Sequence, residues 1–155
     1  MIQAEHITRR YGAFEAVKDL SFSVKIGEVA GLLGQNGAGK TTALHVLSGY
    51  LAPSKGTVKV NGIDLQNKPR EAKRHIGYLP ETIPLYPEMT PLEYLRFCCD
   101  IKAIHPQDRE AHIQDIMALT DLSQVAHQSS GTLSKGYRQR LGLAQALCGG
   151  PEVLL

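Results

Sequence analysis

Gly34-Gln35-Asn36-Gly37-Ala38-Gly39-Lys40-Thr41 is the stretch on which the fold turns. It fits G-x-x-x-x-G-K-[ST], and each residue type in that pattern has a physical task. Glycines let the backbone turn its N–H groups inward and approach phosphate oxygens without a Cβ in the way. Lys40 then supplies a point charge for the β and γ phosphates of a nucleoside triphosphate, the Thr41 hydroxyl a ligand for Mg²⁺, and Thr42 a hydrogen bond to the α phosphate. Val29-Ala30-Gly31-Leu32-Leu33, just before the loop, is a short apolar run of the kind a buried parallel strand uses. After it a helix runs from Lys40 to about Ser48, its N-terminus adding partial positive charge at the phosphates, and Gly49 stands where a helix ends.

Outward from the loop, Ile2 to Thr8 and Val17 to Val24 alternate as strands do, with Leu20, Phe22 and Val24 on one face. Gly56 to Val60, Asn61-Gly62 and Ile63 to Leu65 read as a hairpin, since Asn-Gly suits a two-residue primed turn. Ile76 to Leu79 is a further short strand. From Pro80 the character changes. Thr90-Pro91-Leu92-Glu93 is a capping box with proline at the first helical position, opening a helix to about Ile104 with Leu92, Leu95 and Cys99 on one side. A second helix spans Asp108 to Thr120 on Ile113, Ile116 and Met117. A third follows Ser134 with Tyr137, Leu141, Ala144 and Cys148 on one stripe. Val153 to Leu155 starts a strand. Strands dominate up to residue 79 and helices from 91 to 148, an α/β core with a helical part inserted or appended.

The 155 residues suit one compact domain, 43% hydrophobic and 21% charged. Net charge is +2, without a long run of like charge, which gives no reason to expect nucleic acid as a partner. The basic cluster Lys68 to Arg74, interrupted by Glu71, reads as a solvated helix face. No apolar run approaches the ~20 residues of a membrane-spanning helix, and the first residues lack the basic and apolar regions of a signal peptide. Three cysteines, two adjacent at Cys98 and Cys99, read as reduced thiols. The histidines are scattered, with no zinc-like spacing.

Leu133-Ser134-Lys135-Gly136-Tyr137, followed by Arg138-Gln139-Arg140 and a helix, resembles the ABC-transporter signature motif, normally Leu-Ser-Gly-Gly-Gln. Arg9-Arg10-Tyr11-Gly12 with Ala16-Val17 looks like the same family's N-terminal region. The whole chain is similar to the ATP-binding subunits of the exporter group that serves gliding, drug and polysaccharide export. The resemblance implies a P-loop NTPase core, a mixed sheet with N-terminal antiparallel strands, plus a helical subdomain. It implies core residues 1–80, a loop and helical part over 81–148, and the start of a Walker B strand at 149–155. It further implies that Tyr11 stacks on adenine and Val17 packs near the ribose, although Tyr11 standing alone reads as a surface aromatic. Residues 133–137 would close over the γ phosphate held by a second ATP-binding subunit, as homodimer or heterodimer. Ser134 is placed either to cap its helix or to touch that nucleotide.

The family's glutamine between core and helical part falls at Glu81, after Ile76-Gly77-Tyr78-Leu79-Pro80. A carboxylate there can ligate Mg²⁺, so Glu81 joins Thr41 as an expected metal contact. Lys135 and Tyr137 replace the usual Gly and Gln of the signature. The chain ends within what resembles the Walker B strand, so the resemblance implies that later strands, the aspartate, the catalytic glutamate and the switch histidine lie outside it, and no catalytic residue inside except Glu81 as a weak candidate. Implied partners are ATP, Mg²⁺ and a membrane permease, which in the family docks beside the loop Glu81 to Thr90. That loop carries Ile83, Leu85, Tyr86 and Met89 among prolines, one or two of which are expected to pack against the helix from Pro91. The implied location is cytoplasmic, peripheral to the cytoplasmic membrane through the permease. A nucleotide-binding protein without turnover, or an ABC-type ATPase with a non-transport role, is the alternative.

Overall fold

In the computed structural model, which describes residues 1–155, strands β1 (Ile2–Tyr11) and β2 (Phe14–Val24) form an antiparallel pair. β1 also pairs with β3 (Lys55–Val60), and β3 with β4 (Ile63–Asp64), giving a four-stranded antiparallel sheet in the order β2-β1-β3-β4. Alternation buries Ile2 and Ala4, and a bulge with His6 and Asp19 in the left-handed region then lets Ile7 and Thr8 both face inward. The Asn61-Gly62 turn has both residues at positive φ (50° and 79°), the primed turn the sequence predicts. Helix α1 (Lys40–Leu47) covers this sheet with Ala43, Val46 and Leu47. It ends as expected: Ser48 is the cap and Gly49, at φ 71°, donates its N–H to Val46 O at 3.1 Å. Helix α2 (Pro69–Arg74) is short, with its basic residues outside and Ala72 buried. Residues 1–76 with Leu155 make one unit, and residues 77–154 a second.

One expected element is absent from the first unit. Val29 to Leu33 forms no strand, and Val29 and Leu33 are fully exposed. A buried parallel strand needs a hydrogen-bonded neighbour on each side, and no strand of residues 1–155 pairs with this segment. The segment is apolar enough for a buried strand; burial also requires neighbours that composition does not supply.

The second unit begins where β5 (Ile76–Gly77), two residues shorter than the expected strand, pairs with β6 (Val153–Leu154). Its helices are α3 (Pro91–Ile101), α4 (Pro106–Leu119) and α5 (Lys135–Leu147), with 3₁₀ turns at Ser123–Val125 and Ser130–Thr132. Leu95, Ile113, Leu122 and Leu141 are wholly buried at their centre; each such side chain contributes about 1.5–3 kcal/mol relative to exposure. Cys98, Cys99 and Cys148 are free thiols packed into the same core. α3 stops earlier than expected because Ala103 enters the left-handed region (φ 56°), turning Ile104 N–H back to Cys99 O at 3.0 Å. α4 starts earlier than expected, with Pro106 at its first position and His105 Nδ1 accepting from Gln107 N.

The capping box is complete. Thr90 Oγ1 accepts from Glu93 N at 3.3 Å, and Glu93 Oε2 accepts from Thr90 N at 2.8 Å. The Thr90 amide, and then its hydroxyl, hold the Glu93 carboxyl below its ordinary value of 4.5. A depressed carboxylate stabilises the fold above its unfolded-state pKa, and that contribution disappears as pH falls through the lowered folded value. Thr90→Ala is expected to cost about 1 kcal/mol at neutral pH and to flatten the acid limb of the stability curve. Thermal unfolding from pH 7 to pH 3 checks this; an unchanged acid limb would show that the box contributes nothing.

Candidate nucleotide site

Gly34 to Gly39 forms an exposed loop without regular structure between the extended segment and α1. A turn closes its middle, Ala38 N donating to Gln35 O at 3.1 Å, with Asn36 and Gly37 at the tip. Gly39 is required twice over. Its φ is 84°, and a Cβ built on it would lie 2.0 Å from Ala16 O and 3.5 Å from Val17 Cγ2. The loop's end is therefore seated directly on β2. Val17 is buried in that seat.

Lys40 spans the loop from the other side. Its Nζ donates to Gly34 O and Gln35 O, both at 2.7 Å. An ammonium has three donors, so this leaves one for an anion held by the loop. α1 begins with no side-chain cap and no acidic residue in its first turn. An uncapped N-terminus fronted by glycines and a lysine concentrates positive potential where a phosphate fits. Thr41 is exposed on this first turn and Thr42 half-buried. No cluster of three or more His, Cys, Asp or Glu side chains could hold a metal ion. Mg²⁺ of the kind that keeps its waters and leans on substrate phosphates needs only one or two protein oxygens, and the Thr41 hydroxyl fits that demand.

Tyr11 ends β1 with its ring half-exposed and pairs with Phe14 across the hairpin that carries Ala16 and Val17 to the loop. Its neighbour is Arg9, whose guanidinium carbon lies 4.9 Å from the ring centroid. Sequence reasoning gave Arg9 no task, and no local pattern marks it.

In the second unit, Ser134 caps α5, its Oγ accepting from Tyr137 N at a long 3.3 Å. Leu133 is buried; Lys135 and Gly136 are exposed at the helix start. Arg138 Nη1 donates to Leu133 O at 2.6 Å and fixes the approach to the helix. Arg140 bridges Tyr137, 5.4 Å from its ring centroid, and Asp121, with which it forms an ion pair. Tyr137 is thus held by structure at a position where glutamine is usual. Glu81 is exposed on the loop after β5. On the same loop, Leu85 and Met89 pack against the helical core, and Ile83 lies over Gly142, where a Cβ would come within 2.5 Å of its Cδ1. Three of the loop's four large apolar residues pack inward, more than the one or two expected, and Tyr86 is left half-exposed.

The family model described as ABC transporter matches residues 17–155. An uncharacterised ABC transporter ATP-binding protein of Bacillus subtilis (strain 168), YxlF, is 39% identical over all of this chain and 51% of its own length. The molybdate/tungstate import ATP-binding protein WtpC of Pyrococcus abyssi (strain GE5 / Orsay) is 34% identical over all of this chain and 44% of its own. The chain therefore spans about half the length of the curated relatives it matches. Among solved structures, the dimeric bacterial ABC transporter cassette MJ0796 superposes with a TM-score of 0.87 at 25% identity, over 99% of this chain and 72% of that one. The α/β organisation is that of an ABC ATPase cassette, a P-loop NTPase core with a helical subdomain.

Proposed function

This chain belongs to the ABC transporter ATP-binding family, and from that premise we propose that it binds Mg-ATP and couples the nucleotide to export through a separate membrane permease. The observation that carries the proposal is the uncapped start of α1 behind the Gly34–Gly39 loop, with Lys40 Nζ 2.7 Å from two loop carbonyls. In this assignment the loop residues, Lys40, Thr41 and Thr42 hold the phosphates, Tyr11 stacks on adenine and Val17 lies under the ribose. Thr41 and Glu81 contact Mg²⁺, which when bound neutralises phosphate charge. Export rather than import rests on the exporter-type resemblance of the chain; WtpC, an import protein by its name, is among the relatives.

ATP hydrolysis is the family's chemistry. It needs a positioned acceptor for the proton of the attacking water. Within residues 1–155 we assign that part to no residue, since Glu81 is a solvent-exposed loop carboxylate better suited to a metal contact. Leu133 to Tyr137 we assign to the nucleotide of a second ATP-binding subunit. The exposed α5 N-terminus at Lys135 and Gly136 supports this, as does the dimeric state of a structural relative. No helix is long and apolar enough to cross a membrane. From the family resemblance we place the chain at the cytoplasmic face of the membrane, held there by the permease.

The test is the Mg²⁺ dependence of ATP affinity. Mg²⁺ should tighten ATP binding to the wild-type chain, and Thr41→Ala should reduce the affinity for the metal at least about tenfold, the loss found even when a group behind a metal ligand is removed. Titration calorimetry of ATP at stepped Mg²⁺ concentrations measures it. Identical Mg²⁺ dependence in both proteins would remove Thr41 from the site.

A further inference from the structure

Arg9 sits on β1 two residues before Tyr11, and its side chain is held at two points. Its guanidinium carbon lies 4.9 Å from the Tyr11 ring centroid. Nη1 donates to Ala52 O at 2.9 Å. Nε is buried with no hydrogen-bond partner. The carbonyl that receives Nη1 is itself held in place. Ser54 N donates to Thr8 O at 2.7 Å, and Arg10 N donates to Ser54 Oγ at 3.1 Å, tying the segment after α1 to β1 on both sides of Arg9.

A buried N–H without a partner is costly and calls for an explanation. Here the cation is kept over an aromatic face at the expense of one donor. Cation–π attraction draws it there, and a planar guanidinium covers a ring in a way an ammonium does not. The Tyr11 ring, half-exposed, is thereby covered on one face and oriented before any ligand arrives.

We propose that Arg9 is a positioning residue for nucleotide-base recognition: anchored on the Ala52 carbonyl, it holds Tyr11 so that the ring presents its free face to adenine. The proposal rests on the assignment of Tyr11 as the stacking residue. Its physical content is preorganisation, since a ring already held loses less rotamer freedom when a base stacks on it. Arg9 touches neither phosphate nor metal in this arrangement, so its contribution is confined to ligands that carry a base.

The experiment measures the affinity of the full chain for ATP and for inorganic triphosphate, each with Mg²⁺, in the wild type, Arg9→Met, Arg9→Lys, Tyr11→Ala and the Arg9→Met/Tyr11→Ala double variant. Arg9→Met should weaken ATP about two- to fivefold, the range of an exposed cation–π contact, and leave triphosphate unchanged. Arg9→Lys should recover part of the loss. In the Tyr11→Ala background Arg9→Met should have no further effect. Equal losses for ATP and triphosphate, or the same loss with and without Tyr11, would overturn the proposal and leave Arg9 a merely structural residue. Tyr11→Ala weakening ATP while Arg9→Met does not would also overturn it, with the stacking assignment intact. ATP affinity insensitive to Tyr11→Ala, or no ATP binding by the wild type, would remove the stacking assignment and this inference together. Triphosphate binding doubles as the folding control for every variant.

Discussion

Lys40→Ala should abolish the stabilisation that Mg-ATP gives the wild-type chain while leaving the ligand-free protein nearly as stable as before. A ligand that binds only the folded state at 100 times its Kd stabilises by about 2.7 kcal/mol. For a chain of this size that is a rise in Tm of roughly 5–10 °C. The large effect on ATP follows from where the charge stands. Lys40 Nζ is held at 2.7 Å by Gly34 O and Gln35 O, inside the loop. The small effect on folding follows from the same geometry. The two carbonyls are on an exposed loop, so removing the ammonium returns them to water rather than leaving them buried and unpaired. Substitutions of that kind fall within about 0.5 kcal/mol. Scanning calorimetry of both proteins with and without Mg-ATP distinguishes the two effects. An equal ligand-induced shift in wild type and variant would take Lys40 out of the phosphate site.

How much of this site the sequence carried depended on how local its causes are. The Gly34–Thr41 loop, the Asn61-Gly62 turn and the Thr90–Glu93 capping box are each written in adjacent residues, because a positive φ or a cap is satisfied within one turn of chain. The helices of the second unit were legible for a similar reason, since an apolar residue every third or fourth position needs only a core to face. What escaped depended on partners distant in sequence. Whether Val29 to Leu33 is buried depends on which strands lie beside it. Ile83 packs inward because a glycine stands at Gly142 beneath it, and nothing near Ile83 announces that. The clamp on Tyr11 closes only because the segment at Ala52 returns to β1 after the whole of α1. Composition marks residues capable of such contacts. It does not say which ones meet.

The permease contact that the family resemblance implies beside residues 81–90 leads to the second large expected effect, and we propose Tyr86, the one of the loop's four large apolar residues left half-exposed, as its centre. Met89 and Leu85 pack on the helical core and Ile83 on Gly142, so replacing any of them would loosen the unit itself and confound a docking experiment. Tyr86 differs. It is 44% exposed, yet its ring is ordered edge-on against Phe97 at 5.8 Å and tilted against Tyr94 at 6.3 Å. The loop beneath it is anchored, Ser129 Oγ and Gly131 N both donating to Pro87 O at 2.6 and 3.0 Å and Ser130 N to Met89 O at 2.9 Å. A rigid, half-exposed tyrosine beside a second partly exposed aromatic is the arrangement from which interface hot spots are made, because little entropy remains to be lost on docking. The expected occupant is the apolar side of a short permease helix. Tyr86→Ser should weaken the complex with detergent-solubilised permease by roughly 2 kcal/mol, about thirtyfold, with ATP affinity and ligand-free Tm near wild type. The measurement is titration of the labelled permease with each protein. Undiminished association of the Tyr86→Ser chain would place the docking surface elsewhere. A fall in Tm matching the loss of association would instead return Tyr86 to the core of the helical unit.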